Sequence, residues 1–236
     1  MTAALDHLVV LAASLDEGAA WCEATLGVTP GPGGEHPLMG THNRLLRTSS
    51  PAFPQSFLEI IAINNIAQNG HPTRTWRWFD MDNPVLKARV VGHGPQLIHW
   101  VARVPDVQAA VARLAAQGID RGPAIAATRQ TPRGLLQWQI TVRDDGQRLF
   151  AGCLPTLIQW GAAQDTPMTV PHPADALPHS AVTLQSLELA SPDAAALNAA
   201  FPAIGLHDWR ATAGPARLLA TLATPKGLIT LDSGGH

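Results

Sequence analysis

Two stretches of this chain are written to the same plan, and that repeat constrains the fold more than any other feature. In the first, Leu5–Leu11 is apolar and β-branched enough for a strand. Ser14 follows as an N-cap with Glu17 three residues on, Ala19, Ala20, Trp21, Ala24 and Leu26 fill a helix, and Gly27 ends it. In the second, Leu97–Val104 reads as a strand, Asp106 as a cap and Val107–Gln117 as a helix stopped by Gly118, with Val111 and Leu114 on its apolar face. The caps Ser14 and Asp106 stand 92 residues apart, and at that offset His7 falls on His99.

Each βα unit is followed by β-like sequence. After the first come a turn-rich stretch from Pro30 to Gly40, then Asn43–Arg47 and Phe57–Ile63. After the second come Ala124–Thr128, Leu135–Val142 and Thr156–Trp160, separated by Pro132-Arg133-Gly134 and Asp144-Asp145-Gly146. The pattern is βαβββ twice, over 1–63 and 95–161, joined by an insert at 64–94 with a short helix near Pro84–Val91. A Pro-, Ala- and Thr-rich linker, 162–180, leads to a shorter β-α-β-β copy at 181–236. That copy has a strand at Leu184–Leu189, a helix at Asp193–Phe201 and a hairpin around Pro225-Lys226-Gly227. With Ser191 as its cap, the position of His7 is taken by Leu184, so the third copy completes the sheet or packs on the pair rather than carrying chemistry.

Composition limits the partners. A net charge of -2 and the lack of a dense Lys/Arg run argue against nucleic acid. No apolar run approaches the roughly 18 residues of a membrane span, and no basic start precedes an apolar run, so the expected address is the cytoplasm. Cys22 and Cys153 are too few for a disulfide framework; Cys22 reads as a small buried hydrophobe rather than a reactive thiol.

The candidate chemistry sits on the strands. A lone strand histidine is more often a satisfied core side chain than a ligand, but His7 and His99 occupy equivalent points of a repeat, which invites a shared cavity and a metal. Glu59 lies in an otherwise apolar strand, where a charge is costly unless paired or bound; the competing reading is an edge strand facing water. Gln159 stands as its counterpart in the second module. On the substrate side, His36, His42 and Asn43 belong to the Gly-rich loop Gly33–Asn43, unless that loop merely holds a turn. Arg129 and Arg133, near Trp138, have the fork to bind a carboxylate, with a surface role as the alternative. The other tryptophans read as core or cavity lining.

The paired motif, together with Asp6-His7-Leu8-Val9, Gly33-Gly34-x-His36-x-x-x-Gly40-Thr41-x-Asn43, Phe57-Leu58-Glu59 and Leu154–Trp160, resembles the vicinal oxygen chelate superfamily and its glyoxalase-like domain group. The resemblance implies an α+β fold in which tandem βαβββ modules form a curved mixed sheet around a cavity. It implies metal ligands from the first and last strand of each module, here His7, Glu59, His99 and Gln159, around Mn, Fe, Co, Ni or Zn. Such an ion binds two neighbouring substrate oxygens, and Glu59, if it loosens from the metal, serves as the proton-transfer base. The implied function is a metal-dependent lyase, isomerase or dioxygenase acting on a small molecule. The alternatives are a metal-free binding protein of the resistance type and a scaffold that has lost its site; the resemblance also leaves room for a homodimer.

Overall fold

The two βα units fold as their caps dictate. We describe a computed structural model, covering residues 2–64, 76–161 and 172–234. Strand β1 (Ala4–Leu11) leads to helix α1 (Leu15–Leu26), whose first turn is closed by Ser14 Oγ accepting the Glu17 N–H at 3.2 Å and whose end is the left-handed Gly27. The first module continues with β2 (Gly31–His36), β3 (Thr41–Arg47) and β4 (Phe57–Ile63). Helix α2 (Pro84–His93), capped by Asn83, then leads to β5 (Gln96–Arg103). Helix α3 (Val107–Ala115) starts with Asp106 accepting the Ala109 N–H at 2.9 Å, and β6 (Ala124–Thr131), β7 (Gly134–Thr141) and β8 (Thr156–Trp160) complete the second module. Parts of the expected insert and linker, residues 65–75 and 162–171, lie outside the described residues.

The modules share one curved eight-stranded mixed sheet in the order β2-β3-β4-β1-β5-β8-β7-β6. Within each module the first strand pairs in parallel with the last, and the two first strands pair antiparallel at the centre. There His7 faces Val101, Val9 faces His99 and Leu8 faces Trp100, so the 92-residue offset maps the ladder onto itself about the Leu8–Trp100 pair. Each strand carries a bulge at the same point, Asp6 in β1 and Ile98 in β5. The bulge also alters a simple alternation: His7 shares a face with Val9 but not with Leu5, which packs with Leu8 and Val10 on the opposite side.

Most of the turn-rich stretch from Pro30 to Gly40 is in fact a strand, Gly31–His36, and a turn follows only at 37–40. β2 pairs with β3 around a bulge, and Gly33 is required there because an added Cβ would sit 2.1 Å from Asn43 Oδ1.

On the convex face lies a second sheet, β10-β9-β11-β12, built from β9 (Thr183–Ser191), β10 (Ala211–Ala213), β11 (Arg217–Thr224) and β12 (Gly227–Asp232). It is introduced by the short helix α4 (Pro173–Ala176) and carries α5 (Ala194–Ala203). The cap of α5 is Asp193 rather than Ser191, which puts Ser186 at the position of His7, and β10 adds a strand not evident from sequence. This module packs on the pair. Its Leu184, Phe201, Leu218 and Leu222 share one core with Leu8, Val10, Cys22, Leu114 and Trp100, and Trp100 stacks on Trp209 at 4.5 Å. A second, smaller core on the concave face includes Val9, Ile61, Val101, Trp78 and Phe79.

Candidate functional site

The concave face of the first module opens into a cleft of about 40 Å³, room for a few water molecules. His7, His36, Asn43 and Glu59 line it from the first module; Arg129, Trp138 and Trp160 come from the second. Although the sheet's end strands are β2 and β6, a Cβ on Gly34 of β2 would lie 2.5 Å from Arg129 Nη1 of β6, so the two ends nearly meet over the cleft.

Glu59 is buried and held from two sides. Its Oε1 accepts the Asn43 Nδ2–H at 2.5 Å, and its Oε2 lies 3.5 Å from His7 Nε2. Asn43 is in turn oriented by the Gly34 N–H, which donates to Asn43 Oδ1 at 2.8 Å. Burial alone would raise the Glu59 carboxyl, but His7, His36 and the Asn43 amide hold it below the usual carboxylate range.

Behind His7 lies a network that the sequence analysis missed. The bulge turns Asp6 so that its Oδ1 accepts His7 Nδ1–H at 2.7 Å, while its Oδ2 accepts Trp160 Nε1–H at 2.8 Å and His172 Nε2–H at 2.9 Å. The His172 tautomer follows from the Ala174 N–H, which donates to Nδ1 at 3.1 Å. Burial would raise the Asp6 carboxyl, yet the imidazoles of His172 and His7 hold it well below its ordinary value. For His7, burial disfavours the charge, but Asp6 and Glu59 outweigh it and push the imidazole up to about 9. His7 is thus an imidazolium between two carboxylates, stacked on Phe57 at 4.5 Å. His36 goes the other way, pushed down to about 4 by burial and by the nearby Arg129, against the pull of Glu59.

The second module's candidates do not join this group. His99 Nε2 accepts the Thr156 backbone N–H at 3.1 Å, so its Nδ1–H donates to Gly152 O at 3.1 Å and both ring nitrogens are committed. Phe79 packs over its ring at 5.2 Å. Gln159 points to the helix side, where its Oε1 accepts the Val107 N–H at the start of α3 at 2.9 Å. The register places Thr156, not Gln159, where Glu59 stands: Val9 pairs with Glu59 and its counterpart Val101 with Thr156. Of the remaining candidates, Arg129 and Trp138 line the cleft, whereas His42 alternates to the other face of β3 with Arg44, and Arg133 sits exposed in the β6–β7 turn.

A metal held by His7, Glu59, His99 and Gln159 therefore does not fit this arrangement. Two of the four donors are engaged in structural hydrogen bonds, and no three His, Cys, Asp or Glu side chains among the described residues cluster as ligands. What remains on the cleft is one carboxylate, one imidazolium, one neutral imidazole and one guanidinium, from Glu59, His7, His36 and Arg129.

The family described as glyoxalase-like domain matches residues 5–205. Among solved structures, a hypothetical protein from Staphylococcus aureus is similar over 98% of this chain and 85% of its own, at 13% identity and a TM-score of 0.58. Methylmalonyl-CoA epimerase from Streptomyces coelicolor, in complex with 2-nitronate-propionyl-CoA, is 15% identical over 69% of this chain and 100% of its own, with a TM-score of 0.42. The Mycobacterium tuberculosis methylmalonyl-CoA epimerase is 18% identical over 67% of this chain and 87% of its own, with a TM-score of 0.37. No curated protein matches. With its paired βαβββ modules and a family match that runs through both of them, the chain belongs to the glyoxalase-like domain family of the vicinal oxygen chelate superfamily.

Proposed function

We propose that the protein is an isomerase-type enzyme acting on a small carbonyl compound that carries a carboxylate. Arg129 receives the carboxylate and Glu59 moves the proton. The observation behind this reading is the pairing of a buried carboxylate, Glu59, with the guanidinium of Arg129 on opposite modules of one aromatic-walled cleft. Arg129 makes no ion pair with another described residue, which leaves its fork for a ligand.

The step is proton abstraction next to a carbonyl: the C–H bond breaks, Glu59 takes the proton and the electron pair moves to the carbonyl oxygen. A carboxylate held below its usual range is a weak base, so stabilisation of the enolate must do most of the work. The His7 imidazolium, held by Asp6, is the group placed to supply it. No step in this scheme passes through a metal.

The test is incubation of the protein with a panel of 2-oxo and 2-hydroxy acids in D₂O, followed by NMR. Deuterium entering beside the carbonyl, and lost in Glu59→Gln, is the expected result. A second reading, a metal-free binding protein, is favoured by the structural commitment of His99 and Gln159. Saturable binding without exchange in any panel member would establish that reading and overturn the first.

A further inference from the structure

The two modules offer an internal comparison. Each central strand bulges at the same point, at Asp6 in β1 and at Ile98 in β5, and the next residue is a histidine in both. Where the bulged residue is apolar, the histidine is spent on the backbone: His99 binds Gly152 O and the Thr156 N–H. Where it is Asp6, the carboxylate takes the His7 Nδ1–H at 2.7 Å and leaves Nε2 facing Glu59 Oε2 at 3.5 Å. The orientation of His7 is therefore only as firm as that of Asp6.

Asp6 is fully buried and is fixed by its second oxygen. Oδ2 accepts Trp160 Nε1–H at 2.8 Å and His172 Nε2–H at 2.9 Å. Trp160 belongs to the last strand of the second module, whereas His172 caps α4, in the segment that leads into the third. That segment meets the site at several points. Pro173 lines the cleft, and Ala174 packs with Leu45 and with Phe57, the ring on which His7 stacks. Asp175 accepts the Gln55 Nε2–H at 2.6 Å. The His172 Nδ1 accepts the Ala174 N–H at 3.1 Å, which leaves the ring proton on Nε2 for Asp6. Apolar contacts are enough to dock such a segment; His172 adds a directed donor that reaches the charge behind His7.

We propose that His172 is a positioning residue for the proton transfer, acting through Asp6 to hold His7 with its Nε2–H towards the cleft. The lead-in to the third module is then part of the site rather than a tether. Without the His172 donor, Asp6 keeps only Trp160 on Oδ2 and its carboxylate can rotate, so His7 loses its fixed line to the cleft. The catalytic consequence rests on the proton-transfer reading above; the orienting role does not.

The test compares two variants of the full chain: His172→Phe, which keeps a ring and removes the donor, and His172→Gln, which returns an N–H donor. Two quantities are read. One is deuterium exchange into the acid that the 2-oxo and 2-hydroxy panel identifies. The other is the hydrogen-bonded His7 Nδ1–H proton signal, assigned by its loss in His7→Gln. In His172→Phe, kcat is expected to fall by about 10–100-fold and KM to change by less than about threefold. The His7 signal is expected to move, or to broaden through exchange with water. His172→Gln is expected to recover most of kcat and to return the signal towards its native position. A His7 signal that stays in place in His172→Phe overturns the assignment, as does an unchanged kcat. An impairment that His172→Gln leaves unrelieved overturns it too, because packing alone then accounts for the loss. Absence of exchange in the native protein overturns the proton-transfer reading and the catalytic consequence with it. In that case a signal that moves in His172→Phe and returns in His172→Gln still upholds the orienting role. If His172→Phe does not fold, the native protein decides: ¹⁵N shifts that place no proton on His172 Nε2 overturn the assignment, and a proton there upholds it.

Discussion

The Nε2 atom of His99 accepts the backbone N–H of Thr156 at 3.1 Å, whereas its counterpart in His7 faces the carboxylate of Glu59 at 3.5 Å. The equivalent histidine is thus a core side chain in one module and lines the cleft in the other. His99→Ala is expected to cost about 3 kcal/mol in chemical denaturation, through the cavity and two broken hydrogen bonds. It should leave unchanged any divalent ion that the loaded protein retains, measured by elemental analysis. A halving of bound ion in that variant would return His99 to the ligand set.

Neighbouring glycines in β2 should behave differently. In Gly33→Ala the new methyl meets Asn43 side chain and backbone at 2.1 and 2.3 Å, which displaces the amide that holds Glu59. A loss of about 2–4 kcal/mol is expected, with loss of ligand binding. In Gly34→Ala the methyl meets the side chain of Arg129, whose flexible stem can move. Stability should change by less than about 1 kcal/mol while affinity for a carboxylate ligand falls. Thermal melts and calorimetric titration of both variants separate the two outcomes.

Trp100 joins the paired modules to the third. It is fully buried, stacks on Trp209 and donates its indole N–H to Cys153 O at 3.0 Å. Trp100→Ala should therefore destabilise by about 3–5 kcal/mol. Hydrogen exchange should show weakened protection in β11 as well as in β5; protection lost in β5 alone would mean that the second sheet holds itself together.

Acid should loosen the fold through two neutral histidines. His36, pushed down to about 4, and His99, held well below 6.5 by burial and by Arg121 and Arg148, stay unprotonated in the folded chain. Below about pH 6.5 the unfolded chain takes up protons that these two histidines refuse in the folded chain, so their contribution to stability is full above that pH and falls on the way down to 4. Calorimetric melting temperatures between pH 7 and 4 should show this decline, with a shallower slope in His36→Asn. An unchanged slope would remove His36 from the account.

Much of the architecture was legible from the repeat, because caps, glycine stops and apolar runs are local signals that both modules carry intact. The strand β2 was not legible: its Gly- and Pro-rich sequence is paired by β3 rather than by its own propensity. Gln159 was misassigned because apolar runs do not set the register of parallel strands. The counterpart of Glu59 lies three residues earlier, and an odd shift puts Gln159 on the opposite face. Asp6 had a readable signal, since a lone carboxylate in an apolar strand is as conspicuous there as at Glu59. His172, set in the Pro- and Ala-rich stretch before β9, had none, because only tertiary packing brings it to Asp6.

The approach of Gly34 to Arg129 has a mechanical consequence. These residues sit at opposite ends of an eight-stranded ladder, so the width of the mouth sums the small twists at every strand-to-strand joint. A small change of twist at each joint is therefore enough to change the gap between Gly34 and Arg129 with every strand pair kept.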